Sequence, residues 1–187
     1  EIKNPLNALS LGLDVLKRRH RPVEPAAAAD QAERIEALRG EINRLATLIN
    51  NFLAFGRPLS LTIVPVDAVA LVRDTLADLA ETAERARVAF EPDLPGDLPR
   101  VAADGSLLKS AVWNLAQNGI QTMERDGGSL RVTARQAVSS PEEGPRLVLT
   151  FEDEGPGIEP AHLVRLFEPW FSTKEGGVGL GLAMVKR

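Results

Sequence analysis

Three groups of residues with chemistry in their spacing occur in order in the second half of the chain. Asn114 and Asn118 stand one helical turn apart, Asp153-Glu154-Gly155-Pro156-Gly157 follows, and Gly177-Val178-Gly179-Leu180-Gly181 comes last. Amide oxygens suit Mg²⁺, which takes one or two protein ligands and fills its octahedron with phosphates and water. A carboxylate can accept a hydrogen bond from an adenine amino group, and glycines let a backbone pass close to a flat ring. Unpaired amides at the start of a helix bind phosphate, and Thr173 and Lys174, just before the second glycine run, are placed to reach the same anion. The constellation predicts a site for ATP and Mg²⁺. Asn118 is the expected metal ligand, and Asn114, Asp153, Gly155 and Gly157 join it around the nucleotide. Gly177, Gly179, Leu180 and Gly181 are expected on the phosphates.

Each group also has a plainer reading. Asp153 continues the apolar row Leu147, Leu149, Phe151 by the period of two, which predicts a buried carboxylate in need of a donor; alternatively it only opens the turn at Gly155. The two asparagines are either ligands or capping and surface amides, and their place in an apolar stretch beside Trp113, Leu115 and Ile120 favours ligands. The last glycines are either a loop of no function or a lid over nucleotide. His20, within Lys-Arg-Arg-His-Arg, and His162 read as exposed, without metal-ligand spacing. Trp113 and Trp170 read as packing groups.

These residues need rigid elements to hold them. Leu61 to Val66 reads as a strand, Asp67 as the cap of a helix running to about Arg87, and Val88 to Glu91 as a second strand. A helix from Asp104 to Met123 carries both asparagines and ends at Asp126-Gly127-Gly128. Leu130 to Val138 and Arg146 to Asp153 form an antiparallel hairpin. The pattern predicts a mixed sheet covered by helices, an α/β two-layer sandwich spanning 58–187. Residues 1–57 differ. Ile2, Leu6, Leu9, Leu13 and Leu16, and then Ile35, Leu38, Ile42, Leu45, Ile49 and Phe52, recur at spacings of three and four, with Pro22 and Pro25 between them. That predicts a helical hairpin with heptad seams, completed as a four-helix bundle in a homodimer or packed on its own second domain.

Composition narrows the classes. A net charge of -4 argues against nucleic acid as the main partner. The absence of cysteine excludes disulfides and thiolate chemistry. No apolar run reaches the roughly 18 residues of a membrane helix, so the expectation is a cytoplasmic protein attached to a membrane only through segments outside this chain. Because the first residue is Glu, the chain reads as a fragment.

Taken together the motifs resemble those of two-component sensor histidine kinases. Glu1-Ile2-Lys3-Asn4-Pro5-Leu6 is similar to the end of the H-box, Asn114 to Asn118 to the N-box, Asp153 to Gly157 to the G1 box, Phe167-Glu168-Pro169-Trp170-Phe171 to the F-box and Gly177 to Leu182 to the G2 box. The compact second glycine segment and Asn118-Gly119-Ile120-Gln121-Thr122-Met123 most resemble the nitrogen-regulation branch. The resemblance implies the nucleotide fold shared with gyrases and chaperones, a phosphoacceptor histidine immediately before Glu1, and further strands beyond the last helix. Two positions depart from the pattern: Gly119 stands where Ala is usual, and Gln121 where a phosphate-binding Lys is common.

The implied reaction is transfer of a phosphoryl group from ATP to that histidine, then to an aspartate on a response-regulator receiver domain. The resemblance gives Glu1 the role of carboxylate partner to the attacking imidazole. Asn4, one turn beyond the histidine position, would orient water for removal of phosphate from the regulator. Two rivals stay open: an ATPase switch of the gyrase and chaperone type, which places a glutamate where this chain has Asn114, and a dimeric ATP-binding scaffold without catalysis.

Overall fold

The computed structural model describes residues 11, 12, 15, 31–40, 42, 45, 49, 60–138, 145–174 and 179–186. The chain divides into two compact units, Glu1–Pro58 and Leu59–Arg187. In the first, residues 31–40 are helical, as are Ile42, Leu45 and Ile49 further along the expected seam. Ile35 is buried, whereas Leu11, Val15, Leu38 and Leu45 present their side chains to solvent. Glu1, Asn4, His20 and the proline-bearing turn lie outside the described residues.

The second unit is built from β1 (Val64–Val66), α1 (Ala68–Asp78), α2 (Ala80–Arg85), β2 (Val88–Asp93), β3 (Val101–Ala103), α3 (Gly105–Thr122), β4 (Gly128–Val138), β5 (Pro145–Asp153), α4 (Pro160–Leu163) and α5 (Gly181–Lys186). β1 pairs antiparallel with β3, Val64 opposite Ala103. In the larger sheet β4 is central, parallel to β2 with Val88 opposite Gly128 and antiparallel to β5 with Leu130 opposite Asp153. Leu130, Val132 and Ala134 of β4 alternate onto one face and are buried. Helices α1 and α3 supply the other half of that core, with Val69, Val72 and Leu76 from one and Val112, Ala116 and Ile120 from the other. Those spacings of three and four make one apolar stripe per helix, and the stripes on the sheet give the expected two-layer α/β sandwich.

Local chemistry explains the boundaries. Asp67 caps α1 by accepting a hydrogen bond from the Ala70 amide at 2.9 Å. The helix expected to run on to Arg87 instead breaks at Leu79, whose amide bonds the Leu76 carbonyl at 3.1 Å. This tighter turn drives Leu79 into the core. β1 is shorter than expected, starting at Val64, and β3 is an additional strand after the proline-rich turn. Gly119, the departure from the usual Ala, has a packing reason. A Cβ there would stand 2.8 Å from Leu130 Cδ1, so the glycine makes room for a buried leucine of the central strand.

Candidate nucleotide and metal site

The site is organised by α3, and α3 is anchored at its first turn. The Asp104 carboxylate accepts from the Ser106 hydroxyl at 2.6 Å, from the amides of Ser106 and Leu107 at 3.0 and 3.2 Å, and from the Thr62 amide at 2.9 Å. These donors, the Ser106 hydroxyl foremost, hold its pKa down at about 2. With that end fixed, Asn114, Asn118 and Gln121 recur at spacings of four and three on one face.

Asn114 donates from Nδ2 to the Ser110 carbonyl at 2.8 Å, which leaves Oδ1 as its outward-facing group. That oxygen points to the start of α5, where a Cβ on Gly181 would come within 3.1 Å of it. Asn118 presents Oδ1 to a cation: Lys174 Nζ lies 2.7 Å away. The same ammonium reaches the Asn118 carbonyl and Gln121 Oε1, each at 3.3 Å. Burial pushes the Lys174 pKa below its ordinary value, and the negative charges of Asp153 and Glu124 oppose that shift. Gln121, which the sequence left without a charge role, is therefore part of the site. Its signal was position alone, three residues beyond Asn118.

Asp153 needs a correction. It ends its strand exposed rather than buried, because the apolar row stops where the sheet does. Its Oδ1 accepts from the Gly155 amide at 3.0 Å, the turn-opening role, and lies 3.4 Å from Thr122 Oγ1. Thr122 is a second residue missed, one turn after Asn118 on the same helix. The neighbouring Glu154 is held elsewhere, accepting from the Ser129 amide at 2.8 Å, so Asp153 is the carboxylate that turns toward α3. Gly157 adopts φ 75° with open space beside it.

At the second glycine run, Gly179 has φ 68° and Trp170 φ 69°. The Trp170 amide donates to the Gly179 carbonyl at 2.9 Å, which ties the residue before Phe171 to the residue before Leu180. Leu180 is fully buried, and its carbonyl accepts from the Met184 amide at 2.9 Å, starting α5. Thr173 is exposed, and Gly177 lies outside the described residues. His162 is only partly exposed, its ring 5.6 Å from that of Phe171, and Arg165 sits 4.4 Å over the same ring. Trp113 and Trp170, expected as packing groups, are 39% and 56% exposed, so each has only part of its ring to pack within the chain. A separate cleft of about 590 Å³ between β3 and β5, lined in part by Leu108, Leu147 and Leu149, contains none of the candidate residues.

The described part of the site thus gathers three side-chain amide oxygens, those of Asn114, Asn118 and Gln121, with one ammonium and one carboxylate around the last three turns of α3. Comparison with known proteins gives this geometry its family. Residues 103–187 match the family described as histidine kinase-, DNA gyrase B- and HSP90-like ATPase, and residues 1–60 match the His kinase A (phospho-acceptor) domain. The chain belongs to the sensor histidine kinases. It is 30% identical over its whole length to the signal transduction histidine-protein kinase AtoS of Escherichia coli, of which it spans 29%. It is 29% identical to the nitrogen regulation protein NtrY of Azorhizobium caulinodans over 99% of its length, spanning 24% of that protein. Among solved structures, full-length ShkA in complex with AMPPNP superposes with a TM-score of 0.77 at 26% identity, covering 99% of this chain and 38% of ShkA. The sensor kinase fold, with its ATP-binding part, therefore extends across both units, and the chain is the length of a core within longer relatives.

Proposed function

We propose that the chain is the catalytic core of a histidine kinase. Residues 1–57 form the dimerisation and phosphotransfer hairpin, and residues 58–187 bind ATP with Mg²⁺. The histidine preceding Glu1 attacks the γ-phosphorus; its P–N bond forms as the P–O bond to ADP breaks, and the displaced imidazole proton passes to the Glu1 carboxylate. The phosphoryl group then moves to an aspartate of a response-regulator receiver domain, and Asn4 orients water for the reverse signal.

The observation that carries the metal part of this reading is the Lys174 ammonium on Asn118 Oδ1. The oxygen is turned out of the helix and accepts a cation already. Among the described residues no group of three or more His, Cys, Asp or Glu side chains gathers to hold an ion. A divalent ion at Asn118 would therefore draw most of its ligands from nucleotide phosphate and water, the habit of Mg²⁺. Asp153 supplies the acceptor for an adenine amino group, with Thr122 beside it. When bound, Mg²⁺ neutralises the charge of the transferring phosphoryl group.

The reading as an ATPase switch is disfavoured by Asn114. That position carries an amide whose nitrogen is committed to the Ser110 carbonyl, and an amide cannot take a proton from water. Leu38 and Leu45, exposed on the seam of the first unit, support a homodimer in which a second copy covers them. No helix among the described residues is long and apolar enough to cross a membrane.

The test is phosphorylation of the full-length protein from γ-labelled ATP and Mg²⁺. The expected product carries an acid-labile, base-stable label on histidine, transferable to a receiver domain. Asn118→Ala should abolish the label and weaken Mg-ATP binding by about 1 to 3 kcal/mol, the scale of a buried polar ligand lost. An acid-stable label, or calorimetric binding unchanged in Asn118→Ala, rejects the proposal.

A further inference from the structure

The three contacts of Lys174 Nζ have a common character. Asn118 Oδ1 at 2.7 Å, the Asn118 carbonyl at 3.3 Å and Gln121 Oε1 at 3.3 Å are all neutral oxygens, two from side-chain amides and one from the backbone of the same helix. An ammonium has three donors, so the set saturates it. Neutral oxygens are also what a hard divalent cation takes, and one Oδ1 cannot serve an ammonium and a metal together in this direction. The lysine backbone is held as well: its amide donates to Ser172 Oγ at 3.1 Å, and that hydroxyl lies 3.4 Å from the Lys174 carbonyl. The side chain thus reaches α3 from a turn that is itself tied.

We propose that Lys174 is a place-holder for the metal. In the metal-free state its ammonium occupies the cation position on Asn118 and keeps Oδ1 turned outward, with Gln121 as the second arm of the cradle. Arrival of Mg²⁺ with its nucleotide displaces the ammonium from Oδ1. Gln121 sets how tightly the lysine competes. The device makes the site discriminate metal-bound from metal-free nucleotide, and it rests on the reading of Asn118 as the metal ligand.

The test is a Mg²⁺ titration of the whole chain at a fixed, near-saturating concentration of a fluorescent ATP analogue, reading the Mg²⁺ concentration at half-effect. Lys174→Met removes the competitor and should lower that concentration roughly 5- to 10-fold, as expected for losing a charge-assisted hydrogen bond at a half-exposed site. Gln121→Leu loosens the cradle and should lower it about two- to threefold. The double variant should match Lys174→Met alone, because Gln121 acts only through the lysine. Lys174→Arg, which keeps a cation and its donors, should restore the parent requirement. An unchanged or raised Mg²⁺ requirement in Lys174→Met, or an effect of Gln121→Leu that persists without the lysine, overturns the proposal. Asn118→Ala separates the two levels. A Mg²⁺ requirement raised roughly 5- to 100-fold upholds the metal reading, whereas an unchanged requirement rejects that reading before the place-holder is judged.

Discussion

Gly157 and Gly179 adopt nearly the same left-handed conformation, φ 75° and 68°, yet their surroundings differ completely. Beside Gly157 there is nothing within 4 Å of where a Cβ would stand. At Gly179 a Cβ would collide with the Phe171 backbone, reaching its carbonyl oxygen and lying 2.6 Å from both its carbonyl carbon and its nitrogen. Backbone atoms cannot swing aside as a side-chain terminus can. The Trp170 amide also donates to the Gly179 carbonyl, so the two segments of this junction are tied at the point of collision.

The magnitudes follow. Gly157→Ala bears only the left-handed penalty of an L-residue, about 1 to 2 kcal/mol. Gly179→Ala bears the same penalty plus overpacking, which adds about 1 to 3 kcal/mol. Gly179→Ala should thus be the more destabilised by roughly 1 to 3 kcal/mol in urea unfolding of the second unit's transition. Nucleotide binding should separate them further. Gly179→Ala displaces Trp170 and Leu180 and should lose affinity together with stability, while Gly157→Ala should lose affinity out of proportion to its small destabilisation if the backbone at 157 passes close to the base. Equal unfolding midpoints for the two variants would refute the argument from crowding at Gly179.

At the first turn of α3, Asp104 has its pKa lowered from 3.8 to about 2, so the charged form is the one favoured by folding. Its contribution is complete above pH 4 and fades as pH falls toward 2. Asp104→Asn should therefore flatten acid unfolding across that interval, and a parent-like acid limb would show that the four donors do not act on the charge. For assembly, Leu13→Asp with Leu45→Asp should give monomers through unpaired charge on the seam; sedimentation of a monomeric parent at micromolar concentration would contradict the dimer.

What the sequence made legible was whatever repeats with a local period. The helix that carries Asn114 and Asn118, its Asp104 cap and the β4–β5 hairpin all follow from spacings of three, four and two with a capping or turn residue at the end, and each lies within a residue or two of expectation. The period misled at the ends of elements. Asp153 obeys the alternation of β5 but stands on its last residue, where the turn at Gly155 has replaced the core as its surroundings. Leu79 interrupts a helix without glycine or proline, because burying a leucine outweighs continuing the turn. The contact between Lys174 and the amides of α3 has no period at all. It joins residues 53 and 56 positions apart through a turn whose conformation depends on Ser172 and on the bond between Trp170 and Gly179. Position 121 shows the consequence most clearly. Read by itself, Gln121 is a residue that lacks a charge; seen against Lys174, it is an acceptor 3.3 Å from a charge brought from elsewhere in the chain.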